Sequence, residues 1–587
     1  MTQKVIALRI PPGIQRDGTQ FDSTIYVDGK WMRFQRGRPR KMGGYKGIFL
    51  DATGISRGMA MTSIGGFNYV VSGYNNGLEQ WITDDDDGIG SGPYPYTLSD
   101  FTANANNLWQ FDVAYDATGG NTNNLIAHPG QNLEHITSTV STPVLRGVFP
   151  GTPGSLTMSK VGVFTAAGST NATTTFTLAA ANVRVGAGQV ITGAGIPVGT
   201  TVVSVLGTAV TMSAAATATA SITATFDNNI AVSGGCVVIH PYLFVYGNNG
   251  LIQNSSAGDF ENWVSPDANA NSVATGKILK GLPIRGGSTS PSGLFWAADA
   301  LIRVSFAPST AGGINYYWSY DLVSSQTSVM SSSGIIEYDG IFYWAGVDRF
   351  LSYNGVVQEI PNTINQNYFF DNINLAQRQK VWATKVPRFG EIWWFYPKGD
   401  ATECTDAVIY NVREKTWYDA GQAIGANRSA GVFSEIFPKP IWAGNEANSE
   451  GKYTLWQHES GVDQVYLTNV NAIQSYFETP NLGTLGGLVG SAEQPGDNLW
   501  TRIERVEPDF IQNGDMTVTV TGRGYADDVD IESDPFPFTG TTLKVDMREQ
   551  RREMRLRFES NTYNGDYQTG KILLSLTTGD VRGTGNP

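Results

Sequence analysis

Cysteine is almost missing from this chain: Cys236 and Cys404 are the only two in 587 residues. Two thiols cannot staple so long a polypeptide, which excludes a disulfide framework and fits assembly in a reducing compartment. Histidine is nearly as scarce, with only His128, His135, His240 and His458. No HExxH, CxxC, P-loop or dinucleotide fingerprint occurs. Cys236 and His240 share one face of a strand by their spacing, yet Val237-Val238-Ile239 between them reads as buried. Catalytic residues, metal ligands and cofactors are therefore expected to be none, and the chain is expected not to be an enzyme. Runs of about 18 apolar residues, the length that spans a bilayer, are absent. The short N-terminal run Val5-Ile6-Ala7-Leu8 is interrupted by Arg9 and stopped by Pro11-Pro12, so neither a membrane anchor nor an export signal is expected. Charge is also low, at 16% of residues.

What the chain has instead is glycine and aromatic residues: 68 Gly, 14 Trp, 25 Tyr and 27 Phe. That composition suits many short strands joined by tight turns. An aromatic strand followed by a polar turn recurs, as in Phe67-Asn68-Tyr69-Val70-Val71 and Leu108-Trp109-Gln110-Phe111. It returns in Tyr242-Leu243-Phe244-Val245-Tyr246, Leu294-Phe295-Trp296, Ile341-Phe342-Tyr343-Trp344, Ile392-Trp393-Trp394-Phe395 and Ile441-Trp442-Ala443. The later units recur at about the period of a β-propeller blade, and a helical solenoid is excluded because no 3.6-residue periodicity accompanies them.

Between Val161 and Phe226 the only charged residue is Arg184, in a field of Ala, Thr, Gly, Ser and Val. Its β-branched runs predict a small inserted β-domain rather than disorder. Near the C-terminus Thr517-Val518-Thr519-Val520-Thr521 and Met554-Arg555-Leu556-Arg557-Phe558 alternate apolar and polar, the pattern of half-buried strands. The expected fold is all-β: a β-propeller body with an inserted small β-domain and a C-terminal β-sandwich. The expected units are an extended basic arm over 1–50, propeller over 51–154, inserted domain over 155–227, propeller over 228–462 and sandwich over 463–587.

The formal net charge is -13, which speaks against a protein that coats nucleic acid but not against one past which DNA slides. Charge is unevenly placed. Lys30, Arg33, Arg36, Arg38, Arg40, Lys41 and Lys46 fall in seventeen residues with no acidic one among them, interleaved with Trp31, Met32, Phe34, Met42 and Tyr45. Three readings fit: contact with an acidic neighbouring subunit, contact with DNA, or a solvated face. The interleaved aromatics favour the subunit interface. The run Asp84-Asp85-Asp86-Asp87 departs from EF-hand spacing, with Pro95 where the bidentate Glu would stand. It reads as a solvated acidic loop that would repel DNA if it lined a channel.

Two stretches carry a resemblance. Tyr26-Val27-Asp28-Gly29-Lys30-Trp31-Met32-Arg33-Phe34 with Gly37-Arg38-Pro39-Arg40-Lys41-Met42-Gly43-Gly44-Tyr45 resembles the opening of tail nozzle and tail-hub proteins of short-tailed bacteriophages. Arg505-Val506-Glu507-Pro508-Asp509-Phe510, Arg552-Glu553-Met554-Arg555-Leu556-Arg557-Phe558 and Gly565-Asp566-Tyr567-Gln568 are similar to their C-terminal part. The resemblance implies a structural subunit of the virion tail, assembled in the host cytoplasm, with six copies in a ring around the DNA ejection conduit. Implied partners are further copies of the chain, portal and adaptor proteins, tail fibres, and double-stranded DNA in transient passage. It assigns no catalytic residues. The competing expectations are a portal-proximal plug that stabilises packaged DNA and a receptor-binding or glycan-degrading tail protein.

Overall fold

The computed structural model describes residues 4–578 except 21–22, 49, 65, 84–89, 99–107, 118–121, 131–138, 150–153, 155, 286–290, 312–313, 435–436, 483–499 and 525–527. Strand accounts for 57% and helix for 4%, so the protein is all-β. No helix of the described residues is long and apolar enough to cross a membrane.

Four regular four-stranded antiparallel blades and three strands of a fifth, whose sheet has six strands in all, lie between residues 235 and 458. We number them 3 to 7 by their first strands: Gly235–Ile239, Ile278–Pro283, Ile335–Tyr338, Trp382–Val386 and Arg428–Ser434. The places of blades 1 and 2 are taken by one eight-stranded sheet, whose inner strands are Met59–Ile64 and Gln110–Asp116. Its halves join at their outer edges, where Leu156–Lys160 pairs parallel with Ser91–Leu98. The inner strands are successive neighbours around an axis, and blade 7 meets blade 1 to close the propeller.

The recurrent aromatic strand of the sequence is the second strand of each regular blade: Tyr242–Tyr246, Ser292–Ala297, Ile341–Ala345, Glu391–Tyr396 and Phe437–Ala447. Both faces of such a strand are covered by neighbouring blades, so apolar residues run on rather than alternate. Trp296, Trp344, Trp393, Trp394 and Trp442 are all among the largest fully buried side chains. Two of these indole N–H groups find carbonyls on the adjoining links, Trp344 at Ser328 (3.0 Å) and Trp394 at Gly334 (3.0 Å).

The fourth strand of blade 7 comes from the other end of the chain. Tyr45–Gly47 pairs antiparallel with Tyr453–His458. The expected extended arm is therefore corrected: the N-terminal residues are integral strands. Lys4–Ala7, Met32–Gln35 and Arg38–Lys41 join one sheet of the C-terminal sandwich, and Asp28–Lys30 joins the other. The physical reason lies in the aromatics between the cations. Trp31, Met32, Phe34, Met42 and Tyr45 belong to one buried cluster with Trp393 and Trp442 of the propeller and Phe558 and Leu574 of the sandwich.

The inserted domain is a six-stranded sheet built from Val163–Asn171 through Thr219–Asp227, packed on Phe176, Ile191, Val210 and Phe226. Arg184, the only charged residue between Val161 and Phe226, ties it to the body. Arg184 Nε donates to Asp259 Oδ2 at 2.9 Å, and its guanidinium lies 3.6 Å from Asp116 Oδ1. Beside it the Gly162 N–H donates to Glu261 at 2.6 Å. Replacing Arg184 removes the cation that two buried carboxylates share, and stripping a buried carboxylate of a counter-charge is costly. Arg184→Ala is therefore expected to speed hydrogen exchange in residues 182–189 and 255–264 while leaving 382–419 unchanged; equal exchange in both proteins would show that apolar contact alone holds the domain.

Candidate functional site

Two constructions stand out, a set of clasps on blade 6 and a cavity on the propeller axis. Arg16, Arg33 and Arg57 each reach a carboxylate of blade 6. Arg16 donates to Asp419 at 2.6 and 2.9 Å and also to Asp28. Arg57 grips Glu403 in a two-pronged bond of 2.7 and 2.6 Å. Arg33 is fully buried, with Nε 2.9 Å from Glu391 and both Nη groups on Glu459. Phe389 lies 3.8 Å below its guanidinium. Glu391 also accepts from Tyr418 Oη (2.6 Å) and Trp393 Nε1 (3.0 Å), so its oxygens are satisfied without water. Burial opposes the charge on Arg33, but Glu391 and Glu459 more than offset it and hold the guanidinium above its ordinary range. A two-pronged, planar match of this kind is what arginine supplies and lysine does not.

The other basic residues of that segment are largely spent inside the chain. Lys41 is buried and donates to the Gly565 carbonyl at 2.6 Å; burial lowers its ammonium to about 8. Lys30 bonds Gln474, and Arg40 bonds Gln35. The Arg36 and Gly37 amides donate to Glu414, again on blade 6. The reading of all seven as an interface for another subunit is thus corrected for Arg33 and Lys41, which have no surface to offer. Arg36 is exposed, while Lys30, Arg38, Arg40 and Lys46 are half-buried. The acidic run Asp84, Asp85, Asp86 and Asp87 lies outside the described residues. Cys236 is buried in its strand and His240 is exposed beyond it.

The axial cavity encloses about 160 Å³ where the chain enters the inner strands. Arg57, Trp109, Lys280, Ser332, Gln379, Lys380, Trp382 and Ser429 are among its lining, which includes no Asp or Glu. The nearest counter-charge is set back: Glu403 holds both Arg57 and Lys380. Burial holds Lys280 below the ordinary lysine range, offset in part by Cys236 and Asp112. Gln379 Nε2 and Ser429 Oγ are buried without a hydrogen-bond partner. Among the described residues no group of three His, Cys, Asp or Glu side chains converges as a metal site. Sequence reasoning missed this cavity because its walls come from single residues of separate blades, with no local motif; the one available signal was their place just before or within each first strand.

No family model matches the chain, and no curated protein does. Solved structures align along most of its length. An exo-β-1,3-galactanase from Phanerochaete chrysosporium with galactose is 10% identical at TM-score 0.25, covering 91% of this chain and 100% of the other. A Trypanosoma rangeli sialidase is 9% identical at TM-score 0.25, covering 98% and 96%. A further glycoside hydrolase is 8% identical at TM-score 0.19, covering 91% and 100%. The class that fold and site define is an all-β propeller protein with an axial cavity. The expectation of a non-enzyme is corrected on these neighbours, all hydrolytic enzymes, and absence of activity is not assigned to the chain. At such scores the likeness carries no catalytic residue across.

One buried carboxylate gives the link into blade 1 a pH dependence. Glu79 accepts from the Thr53 amide at 3.0 Å and burial raises its carboxyl from 4.5 to about 7. A raised folded value means the fold favours the protonated form, so this contribution is complete below pH 4.5 and is lost as pH rises through 7. Glu79→Gln, neutral throughout, should gain on the natural protein across that window by about 2–3 kcal/mol and hold the gain above it. Chemical denaturation at pH 4.5 and 8 measures this, and a pH-independent difference would contradict it.

Proposed function

We propose that this chain is a structural subunit of the tail of a short-tailed bacteriophage, a nozzle or hub component of the virion assembled in the host cytoplasm. One observation supports the reading above the others. The two stretches that carry the resemblance lie more than 450 residues apart, yet they form a single folded unit. Asp28–Lys30 pairs with Ser475–Glu478, which pairs with Glu553–Ser560, and Arg40 pairs with Gln568. What resembles the tail proteins is thus one sandwich with its closing strand, not scattered words.

The geometry refines how such a subunit would serve a conduit. The axial cavity of about 160 Å³ is far too small for duplex DNA, whose major groove alone is about 12 Å wide. DNA would pass between copies arranged as a closed ring, with heterologous contacts between neighbours. Exposed Arg36 and half-buried Arg38 and Arg40 remain available to an acidic neighbour, and portal, adaptor and fibre proteins would meet the other faces. The net charge of -13 suits a lumen that does not retain phosphate.

A second reading, a tail protein that engages host-surface glycan, is favoured by the polar, aromatic-lined axial cavity. Electron-microscopic averages of the purified protein test the first reading: six-fold rings are expected, weakened at low salt by Arg36, Arg38 and Arg40 changed together to Gln. Particles that stay monomeric at every concentration would contradict it. Duplex DNA should bind more weakly than the roughly 10⁻⁴ to 10⁻⁶ M of non-specific binders; micromolar binding in fluorescence anisotropy would favour the DNA-stabilising plug.

A further inference from the structure

Six cations gather where the N-terminal hairpin meets two turns of blade 6. Arg38 and Arg40 alternate with buried Pro39 and Lys41, so they share one face of their strand. The Arg36 and Gly37 amides reach Glu414 at 2.8 and 3.1 Å, which sets the hairpin turn beside Arg413 and Lys415. Arg413 donates to the carbonyls of Pro387 and Arg388 at 2.7 and 2.9 Å. The guanidiniums of Arg40 and Arg388 lie 5.7 and 5.3 Å from the Phe389 ring. Arg36, Arg388, Arg413 and Lys415 are exposed. Arginines elsewhere meet carboxylates, as Arg16, Arg57 and Arg523 do, whereas none of these six forms an ion pair among the described residues. The carboxylate at the centre, Glu414, is taken up by the two backbone amides. A patch so charged, on a chain of formal charge -13, calls for an anionic partner.

A surface that fits lies on the far flank of the sandwich. Met32–Gln35 and Asp28–Lys30 edge the two sheets on the side of the patch, and Val545–Arg551 and Ile531–Glu532 edge them on the other. Four strand spacings of about 4.8 Å put roughly 19 Å between the flanks, well beyond the Debye length of about 8 Å at physiological salt. The two surfaces therefore do not neutralise each other within one chain. On the second flank Ile531–Glu532 belongs to the stretch Asp528-Val529-Asp530-Ile531-Glu532-Ser533-Asp534. Asp530 is held by Arg555, but Asp528, Glu532 and Asp534 are exposed and form no ion pair among the described residues. Val529 and Ile531 between them are 79% and 58% exposed. Charges alone would blunt a sheet edge. Bare apolar side chains among the charges suit a protein surface, where arginine stems cover them. Duplex DNA on the patch would leave this strand uncovered. We propose that the basic patch of one copy docks on the acidic strand 528–534 of a second copy, head to tail. Opposite flanks make the contact heterologous, the kind that closes into a ring. The proposal rests on the reading of the chain as a ring subunit and names the contact between neighbours.

Sedimentation velocity of the full chain at low salt, with charge reversals on both surfaces, tests it. Arg36→Glu with Arg388→Glu, and Glu532→Lys with Asp534→Lys, should each raise the concentration at half-assembly at least about tenfold while the melting temperature stays put. All four changes in one chain should restore assembly to within about threefold of the natural protein. In about 1 M salt, where charges act over only about 3 Å, the advantage of the natural protein over either pair should vanish. Should a reversed pair fail to fold, Arg36→Gln with Arg388→Gln and Glu532→Gln with Asp534→Asn decide, by the same loss at low salt. Natural rings beside variants that assemble unchanged, or a combined variant that stays dissociated, would overturn the docking and spare the ring reading. Patch reversal that abolishes micromolar binding of duplex DNA, with assembly unchanged, would give the patch to DNA instead. A natural protein that stays monomeric at every concentration sinks both the docking and the ring.

Discussion

Three arginines from the first fifty-seven residues each hold a carboxylate of blade 6, and the propeller and sandwich depend on that grip. Arg16 takes Asp419, Arg33 takes Glu391 and Arg57 takes Glu403. Between the second and third of these, Tyr45–Gly47 supplies the fourth strand of blade 7. A propeller of stacked blades has no intrinsic lock, because its last blade must find its first. Here the lock is a strand from the opposite end of the chain, and the arginines set where that strand lies. The fully buried Arg33–Glu391 pair is the most demanding of the three, since Glu391 without Arg33 would be a charge stranded in an apolar cluster that spans both domains.

The same arrangement explains an acidic protein with a strongly basic segment near one end. Four of the seven cations are engaged within the chain: Arg33 on two carboxylates, Lys41 on a backbone carbonyl, and Lys30 and Arg40 on side-chain amides. What the ring reading can use is the remainder, chiefly Arg36 with parts of Arg38 and Arg40. The axial cavity is a consequence of the same closure, because its wall draws Arg57 from the N-terminal segment and Lys380 from the link into blade 6, with Glu403 bonded to both.

The all-β class and the blades were legible because each regular blade repeats a local signal. A second strand covered on both faces must be continuously apolar and aromatic, so Ile341-Phe342-Tyr343-Trp344 announces itself. The inserted domain announced itself through composition, and the sandwich through strict alternation in Thr517–Thr521. The arm was misread because its partners are remote: Arg33 and Glu459 are 426 positions apart, and nothing local distinguishes a cation bound for a buried carboxylate from one bound for solvent. Trp31 and Tyr45 pointed to burial but not to the burying surface. The cavity residues stayed hidden for the same reason, being brought together only by the closed circle of blades.

The central claim, that the N-terminal clasp makes propeller and sandwich one cooperative unit, is tested most directly by scanning calorimetry of Arg33→Met beside the natural protein. Breaking a buried pair by removing one partner typically costs about 3–5 kcal/mol. The account predicts that the variant melts earlier in both domains together, and that Arg33→Met with Glu391→Gln recovers part of the loss. A variant in which the sandwich melts early while the propeller transition stays where it was would contradict it.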